Sequence, residues 1–290
     1  MDAMLADKHL RVVRFFQKST DVFPLVDIKG GVVITFRDSG SDIGPIGFFS
    51  PYDELRSVLR KVQAHKEFKK GEFVNLISYR GMYRFSSTFF AENPQMRRAL
   101  SGGTGNMITS NAFELCREVF WEDKPTDGRD YVRLFGRCDG HRVYRWIDRR
   151  YVIPNEYLDT YNVLVPQANG TGAIGEVLST PIIGQPIIGQ PIIGHTDTFI
   201  SVGKFKTQSE AEGCYRYICT KFARTMLGTL KVTQNTPRDA WTNVPMQDFS
   251  AASDIDWSAP IADIDRQLYR KYGFSDAEVA FVEAKVRAME

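Results

Sequence analysis

Metal-binding and redox residues are scarce in this chain: its 290 residues include only four cysteines and four histidines. Cys116, Cys138, Cys214 and Cys219 make no Cys-x-x-Cys pair and no Cys/His cluster at zinc spacing, so buried free thiols in a reducing cytoplasm are expected. His9, His65, His141 and His195 are scattered, without a Ser/His/Asp or His-Glu-x-x-His grouping. No apolar run approaches the roughly 18–20 residues of a membrane span. Charged residues near Met1 stand where a signal peptide needs an apolar core. The expectation is a cytoplasmic protein with no membrane partner. One sign of charge does not dominate either. The net charge of +2 is too mild to argue for a nucleic-acid partner, so any such argument rests on local charge.

The composition, 43% hydrophobic and 25% charged, is that of an ordinary globular protein with a sizeable core. Twenty Phe, twelve Tyr and four Trp are a generous aromatic supply, used mostly in cores and, in some proteins, for stacking on bases. The pattern of elements predicts an α+β fold. Leu10–Phe16 is a short apolar run that reads as a strand. Val26–Lys29 alternates, Gly30-Gly31 breaks it, and Val32–Phe36 reads as a buried strand, so the two runs joined by the glycine pair suggest neighbouring elements at a sheet edge. Ser50-Pro51 opens a helix with Leu55, Val58, Leu59 and Val62 inward, and a domain boundary is placed near residue 70.

The stretch from Arg129 to Tyr151 is the most basic. It carries arginines at 129, 133, 137, 142, 145, 149 and 150 against aspartates at 130, 139 and 148. It reads as a β-hairpin turning on Asp139-Gly140, with arginines able to line one face. Three copies of a Pro-Ile-Ile-Gly unit begin at Pro181, Pro186 and Pro191, too few for a solenoid and expected to lengthen a loop, not a strand. Thr207-Gln208-Ser209-Glu210 is a capping box, and Ala211, Tyr215, Ile218, Phe222 and Met226 predict one helix to about Leu227, with Lys221 and Arg224 off its apolar stripe. Two helices end the chain, the last on the capping box Ser275–Glu278. Asp254, Asp256, Asp263 and Asp265 look like a metal cluster on paper, but capping and dipole roles fit them better. Glu283-Ala284-Lys285 on the terminal helix lacks the strand context of a nuclease carboxylate site.

The stretch Asn162-Val163-Leu164-Val165-Pro166-Gln167-Ala168-Asn169-Gly170-Thr171-Gly172-Ala173-Ile174-Gly175 continues into a second apolar run to Gly184. It resembles the target-recognition region of type II restriction–modification DNA adenine methyltransferases. Val22–Val32, His195–Ser201, Lys221–Gly228, Lys231–Gln234, Val244–Phe249, Asp254–Trp257 and Ile264–Gly273 are similar to that family in the same order, from about residue 5 to the C-terminus. The resemblance implies the end of a Rossmann-like catalytic domain over 1–70, a mixed α/β target-recognition domain over 71–250 and a helical segment over 251–290.

Enzymes of this family bind S-adenosylmethionine in a glycine-rich turn and use an Asn-Pro-Pro-aromatic motif. Neither is present: Asn93-Pro94-Gln95-Met96 lacks the second proline and the aromatic, and no strong strand precedes Ser101–Asn106. The chain is therefore expected to lack catalytic, cofactor and metal sites of its own, S-adenosylmethionine belonging to the complete enzyme. The implied partner is double-stranded DNA. Candidate contacts are Arg133, Arg142, Arg145, Arg149, Arg150, Asn169, Gly170, Thr171, Gly172, Lys221 and Arg224. Two other readings stay open: one half of a split methyltransferase completed by a separate catalytic chain, and an interaction protein with no affinity for DNA.

Overall fold

A computed structural model of the chain describes every residue except 1, 17, 27, 29, 30, 101–104, 170–182, 232, 233 and 290. In chain order the helices and strands are α1 (Asp2–Ala6), β1 (Leu10–Phe16), β2 (Val32–Arg37), α2 (Asp53–Ala64), α3 (Ser87–Glu92), α4 (Met96–Ala99), α5 (Ala112–Leu115), β3 (Tyr131–Cys138) and β4 (His141–Asp148). There follow β5 (Tyr161–Pro166), β6 (Ile187–Gly189), β7 (Ile193–His195), β8 (Phe199–Phe205), α6 (Gln208–Cys219), α7 (Lys221–Gly228), α8 (Ile261–Lys271) and α9 (Asp276–Lys285). The fold is mixed α+β, with small sheets ordered β1-β2, β4-β3-β7 and β6-β5-β8. Among the described residues, no helix is long and apolar enough to cross a membrane.

The continuous apolar run of β5 has a simple cause: its sheet is covered on both faces. Val163 and Val165, with Ile200 and Val202 of β8, join the larger core formed with α2, α6, α7, α8 and α9. Leu164 and Phe199 point the other way and meet Phe135 of β3. A strand buried on both sides reads as an unbroken apolar segment instead of an alternating one. Each fully buried aliphatic side chain here stabilises by about 1.5–3 kcal/mol. The second core lies beyond the hairpin, where Phe85, Phe89, Phe113 and Phe120 pack on Val132, Leu134 and Ile147.

The expected boundary near residue 70 falls inside the larger core. Leu55, Val58, Leu59 and Val62 of α2 share it with Phe73 and Ile77 and with Val282 of α9. The 251–290 segment is part of the same core through Ile255, Ile264 and Leu268. Helix α2 also starts later than expected: Tyr52 is its N-cap, and Ser50 Oγ accepts from Tyr52 N, at 3.2 Å. Strand β2 pairs antiparallel with β1 and not with the Val26–Lys29 run expected as its neighbour, and it is not buried; Val33, Ile34 and Phe36 stand exposed. Val26 and Ile28 belong to no strand, and Asp27, Lys29 and Gly30 lie outside the described residues.

The Pro-Ile-Ile-Gly copies correct a second expectation. The second copy forms β6 against β5, and the third forms β7, parallel to β3. The same four-residue unit therefore serves two different sheets. Their glycines matter through space: a Cβ on Gly189 would sit 2.6 Å from Asn162 Oδ1, and one on Gly194 would sit 2.8 Å from both Leu134 and Tyr83. The start of the first copy, 181–182, lies outside the described residues.

The expected long helix over 207–227 is two helices. Thr220 leaves helical geometry at ψ 149 and caps α7, accepting from Ala223 N at 3.1 Å. Asp265 then takes the next two free amides, Lys221 N at 3.0 Å and Phe222 N at 2.8 Å. Four unpaired amides at a helix start need such partners, and a carboxylate also answers the positive end of the dipole. The capping boxes at Thr207/Glu210 and Ser275/Glu278 form as read from the sequence.

Gly194→Ala and Gly189→Ala each force an added methyl into filled space and are expected to cost about 1–3 kcal/mol. Denaturant melts of the two variants check this; unchanged midpoints would mean that the repeat glycines are dispensable.

Candidate nucleic-acid interface

The basic hairpin forms around a turn in which Asp139 and Gly140 both take positive φ, 49° and 81°, the geometry of a tight two-residue β-turn. Its register pairs Arg137 with Arg142, Phe135 with Tyr144 and Arg133 with Trp146 on one face. Gly136/Val143, Leu134/Arg145 and Val132/Ile147 occupy the other, which lies against the aromatic core. Directly opposed residues share a face and successive residues alternate. Arg142 and Arg145 therefore point to opposite sides, and the expectation of arginines along one face holds only for part of the set.

Ion pairing follows the same division. Arg145 pairs with Glu122 at 2.8 Å, and Arg149 forks onto Asp159 at 2.7 and 2.8 Å. Arg150 reaches the buried Asp148 at 2.8 Å and Glu92 at 3.1 Å. Burial pushes the Asp148 carboxyl up, but hydrogen bonds from Arg150 and the charges of Arg150 and Arg129 outweigh it and hold the group below the usual range. These arginines are structural partners at the base of the hairpin.

Arg133, Arg137 and Arg142 are different: among the described residues, no ion pair links any of them to a carboxylate. Arg133 lies 4.2 Å from the Tyr144 ring centroid and 5.6 Å from that of Trp146, and its Nε–H has no acceptor. Arg142 stands over Phe199 at 5.4 Å and donates a long bond of 3.5 Å to the Gln185 carbonyl. Arg137 donates to its own turn at Gly140 O, 3.3 Å away. Partial burial and then the charge of Arg137 lower the Arg142 pKa, so the two opposed cations do act on each other. Like charges facing across a strand pair destabilise it unless an anion intervenes. Arg137 is absent from the sequence-based candidates; strand alternation with Arg133 is the signal that points to it.

Asn169 donates its backbone N–H to Gln234 O at 2.8 Å, and Ala168 bridges to Asn235. Gly170, Thr171 and Gly172 lie outside the described residues, as does the start of the Ser101–Asn106 loop. Lys221 is mostly covered and ion-paired to Glu283. Arg224 overturns its expected outward position. It is 1% exposed, and its guanidinium donates to the carbonyls of Thr220, Cys219 and Arg287 at 3.1, 2.9 and 2.6 Å. A long cation can bury its stem, but a buried head needs this many acceptors. Burial lowers its pKa to about 10. Arg224 is a core residue.

The fold assembles a Ser–His pair that no sequence motif announces. Ser201 Oγ lies 2.9 Å from His195 Nε2, and His195 Nδ1 donates to Thr196 O at 2.8 Å. Both residues are fully buried, and burial pushes the imidazole down to about 4, so the pair is a neutral internal strut. At the hairpin tip Glu114, Cys138 and Asp139 come within 4.8 Å of one another. Glu114 is engaged by Asp139 N at 3.1 Å and Asp139 by Arg117 at 3.6 Å, while burial and both carboxylates push the Cys138 thiol up. That arrangement is hydrogen-bonded within itself. The aspartates of 254–265 do not converge: Asp254 pairs with Lys271, Asp263 with Arg266, and Asp265 caps α7.

No family model, curated protein or solved structure matches this chain.

Two predictions follow from the buried charges. Arg224→Ala strands three carbonyls and is expected to cost about 2–4 kcal/mol, read from denaturant melts. The second concerns pH. Burial raises Asp265 from 3.8 to about 6, so between those values the folded chain holds a proton that the unfolded chain has released, and stability falls as pH rises. His195, lowered from 6.5 to about 4, acts oppositely: the unfolded chain takes the extra proton, and stability rises with pH. The two oppose each other in the wild type. Asp265→Asn removes the falling component, so its melting temperature is expected to climb more steeply than wild type from pH 4 to about 6.5; parallel curves would refute the assignment.

Proposed function

We propose that this chain is a DNA-binding module that selects the target sequence for adenine-N6 methylation in a cytoplasmic restriction–modification system. The observation that supports it is the hairpin face that carries Arg133, Arg137 and Arg142 together with Tyr144 and Trp146: among the described residues none of the three cations has a carboxylate partner, and Arg133 and Arg142 lie over aromatic rings. A two-stranded ribbon is one of the elements that the major groove of duplex DNA admits. Beyond its pairing with β7 at Arg133–Phe135, the hairpin continues as such a ribbon to its tip. Arg137 and Arg142 suit phosphate contacts that fix register, and Arg133, braced by two rings, suits a base edge. Adenine as the modified base rests on the sequence resemblance alone.

In this reading the chain supplies sequence selection, and methyl transfer with S-adenosylmethionine belongs to the complete enzyme, because the sequence carries no Asn-Pro-Pro-aromatic motif. The expected test is binding to labelled duplex DNA across a salt series. Affinity should fall with salt, and Arg137→Ala and Arg142→Ala should each lower the slope of log K against log salt by about 1. No affinity at low salt, or variants that bind like wild type, would sink the proposal.

A second reading is favoured by the β1–β2 hairpin. Leu25 is 98% exposed, and Val13, Phe23, Val33, Ile34 and Phe36 are exposed with it. An isolated two-stranded hairpin is marginal in water, and a patch of this kind marks an interaction surface. In this reading the hairpin docks on a separate methyltransferase catalytic chain, and the two chains together form the enzyme. Val33→Asp with Phe36→Asp is expected to suppress concentration-dependent association in sedimentation velocity while leaving the DNA salt slope unchanged. Association equal to wild type would argue against a docking role for this hairpin.

A further inference from the structure

Tyr79 spends conformational freedom without gaining burial. Its ring is 70% exposed, yet the backbone on either side is fixed. Ser78 N donates to Ser201 O of β8 at 2.9 Å, and Ile77 bridges to Val202. Beyond Arg80, Gly81 takes φ +65 and presses on Met107, so closely that a Cβ there would lie 2.3 Å from its sulfur. The side chain is held as well. The Arg238 guanidinium carbon lies 4.6 Å from the ring centroid, and its Nη1 donates to Tyr79 Oη at 3.0 Å. Arg238 is itself anchored, its Nε donating to Val74 O and Ile77 O at 3.2 and 3.0 Å. One face of the ring thus rests on a fixed cation, and the exposure belongs to the other.

An aromatic usually covers apolar surface, and its hydroxyl then finds a partner at the edge. Here the ring covers little and is nevertheless braced, which is the arrangement of a platform made to receive a flat ligand. The surroundings indicate which one. Arg238 follows directly on the segment in which Gln234 O accepts from Asn169 N and Thr236 N donates to Gln167 O at 2.9 Å. Arg80, exposed and anchored on Asp197 at 2.9 Å, adds a neighbouring guanidinium. The geometry points to Tyr79 as a stacking platform for an unpaired nucleobase, the open face of the phenol ring meeting the base while Arg238 supports it from behind. The inference rests on the DNA-binding reading and adds to it a second set of contact residues, different from those of the basic hairpin. Stacking of this kind accepts any base, because every base offers a π face.

The test uses the whole chain and two labelled probes, an oligothymidylate single strand and a duplex, followed by fluorescence anisotropy. Wild type should bind the single strand. Tyr79→Ala should weaken that binding about 5- to 150-fold, the range that removal of a stacked aromatic gives. Tyr79→Phe, which keeps the ring, should stay within about 3-fold of wild type. Because the ring is exposed, melting temperatures should not change. Equal affinity of Tyr79→Ala and wild type overturns the platform, as does a Tyr79→Phe variant as weak as Tyr79→Ala. A chain that binds the duplex through Arg137 and Arg142 but ignores the single strand overturns the platform and leaves the DNA reading standing. A chain that binds neither probe overturns both.

Discussion

The β6-β5-β8 sheet, covered on both faces, is the constraint on which the rest of this structure depends. Val163 and Val165 commit one side to the helices, and Leu164 with Phe199 commits the other to the hairpin sheet. A sheet with no solvent face cannot slip register by one residue without exchanging two different sets of neighbours, so its pairing is doubly specified. The hairpin inherits its position from this. Phe135 packs on Phe199 and Leu164, and Thr196 N donates to Phe135 O at 3.0 Å, so β3 and β4 project from a fixed base.

Electrostatics then separates the cations into kinds. Arg145, Arg149 and Arg150 lie where carboxylates meet them, and their charge is spent inside the molecule. Arg224 goes further and serves as a core cross-link between α7 and the backbone near Arg287. Arg133 and Arg142 have aromatic neighbours and Arg137 a turn carbonyl, and among the described residues none of the three has an anionic partner. Surface ion pairs are weak individually, so their stabilising value is small. Their importance lies in which cations they leave without a counter-charge, because only those attract an anion from outside.

Local signals in the sequence were reliable where the physics is local. The Asp139-Gly140 turn, the two capping boxes and the inward face of α2 depend on neighbours a few residues apart, and each formed where it was read. The errors share one cause. The helix expected to run through Thr220 is broken by a cap completed from Asp265, far along the chain. Identical Pro-Ile-Ile-Gly units take different strand partners, which no property of the unit itself encodes. Of the candidate DNA contacts, the sequence located the basic hairpin but not which arginines within it lie beside acids.

Sequence alone determined the class of elements and the composition of the molecule: an α+β chain with a basic hairpin, capped terminal helices and too few cysteines and histidines for a metal framework. Those follow from periodicity, turn chemistry and residue counts, which need no knowledge of what lies across the fold. Tertiary structure decided which cations are neutralised, which are buried, and which face water beside an aromatic ring. Charge pairing and burial depend on residues brought together from distant parts of the chain, and that proximity exists only once the cores have closed.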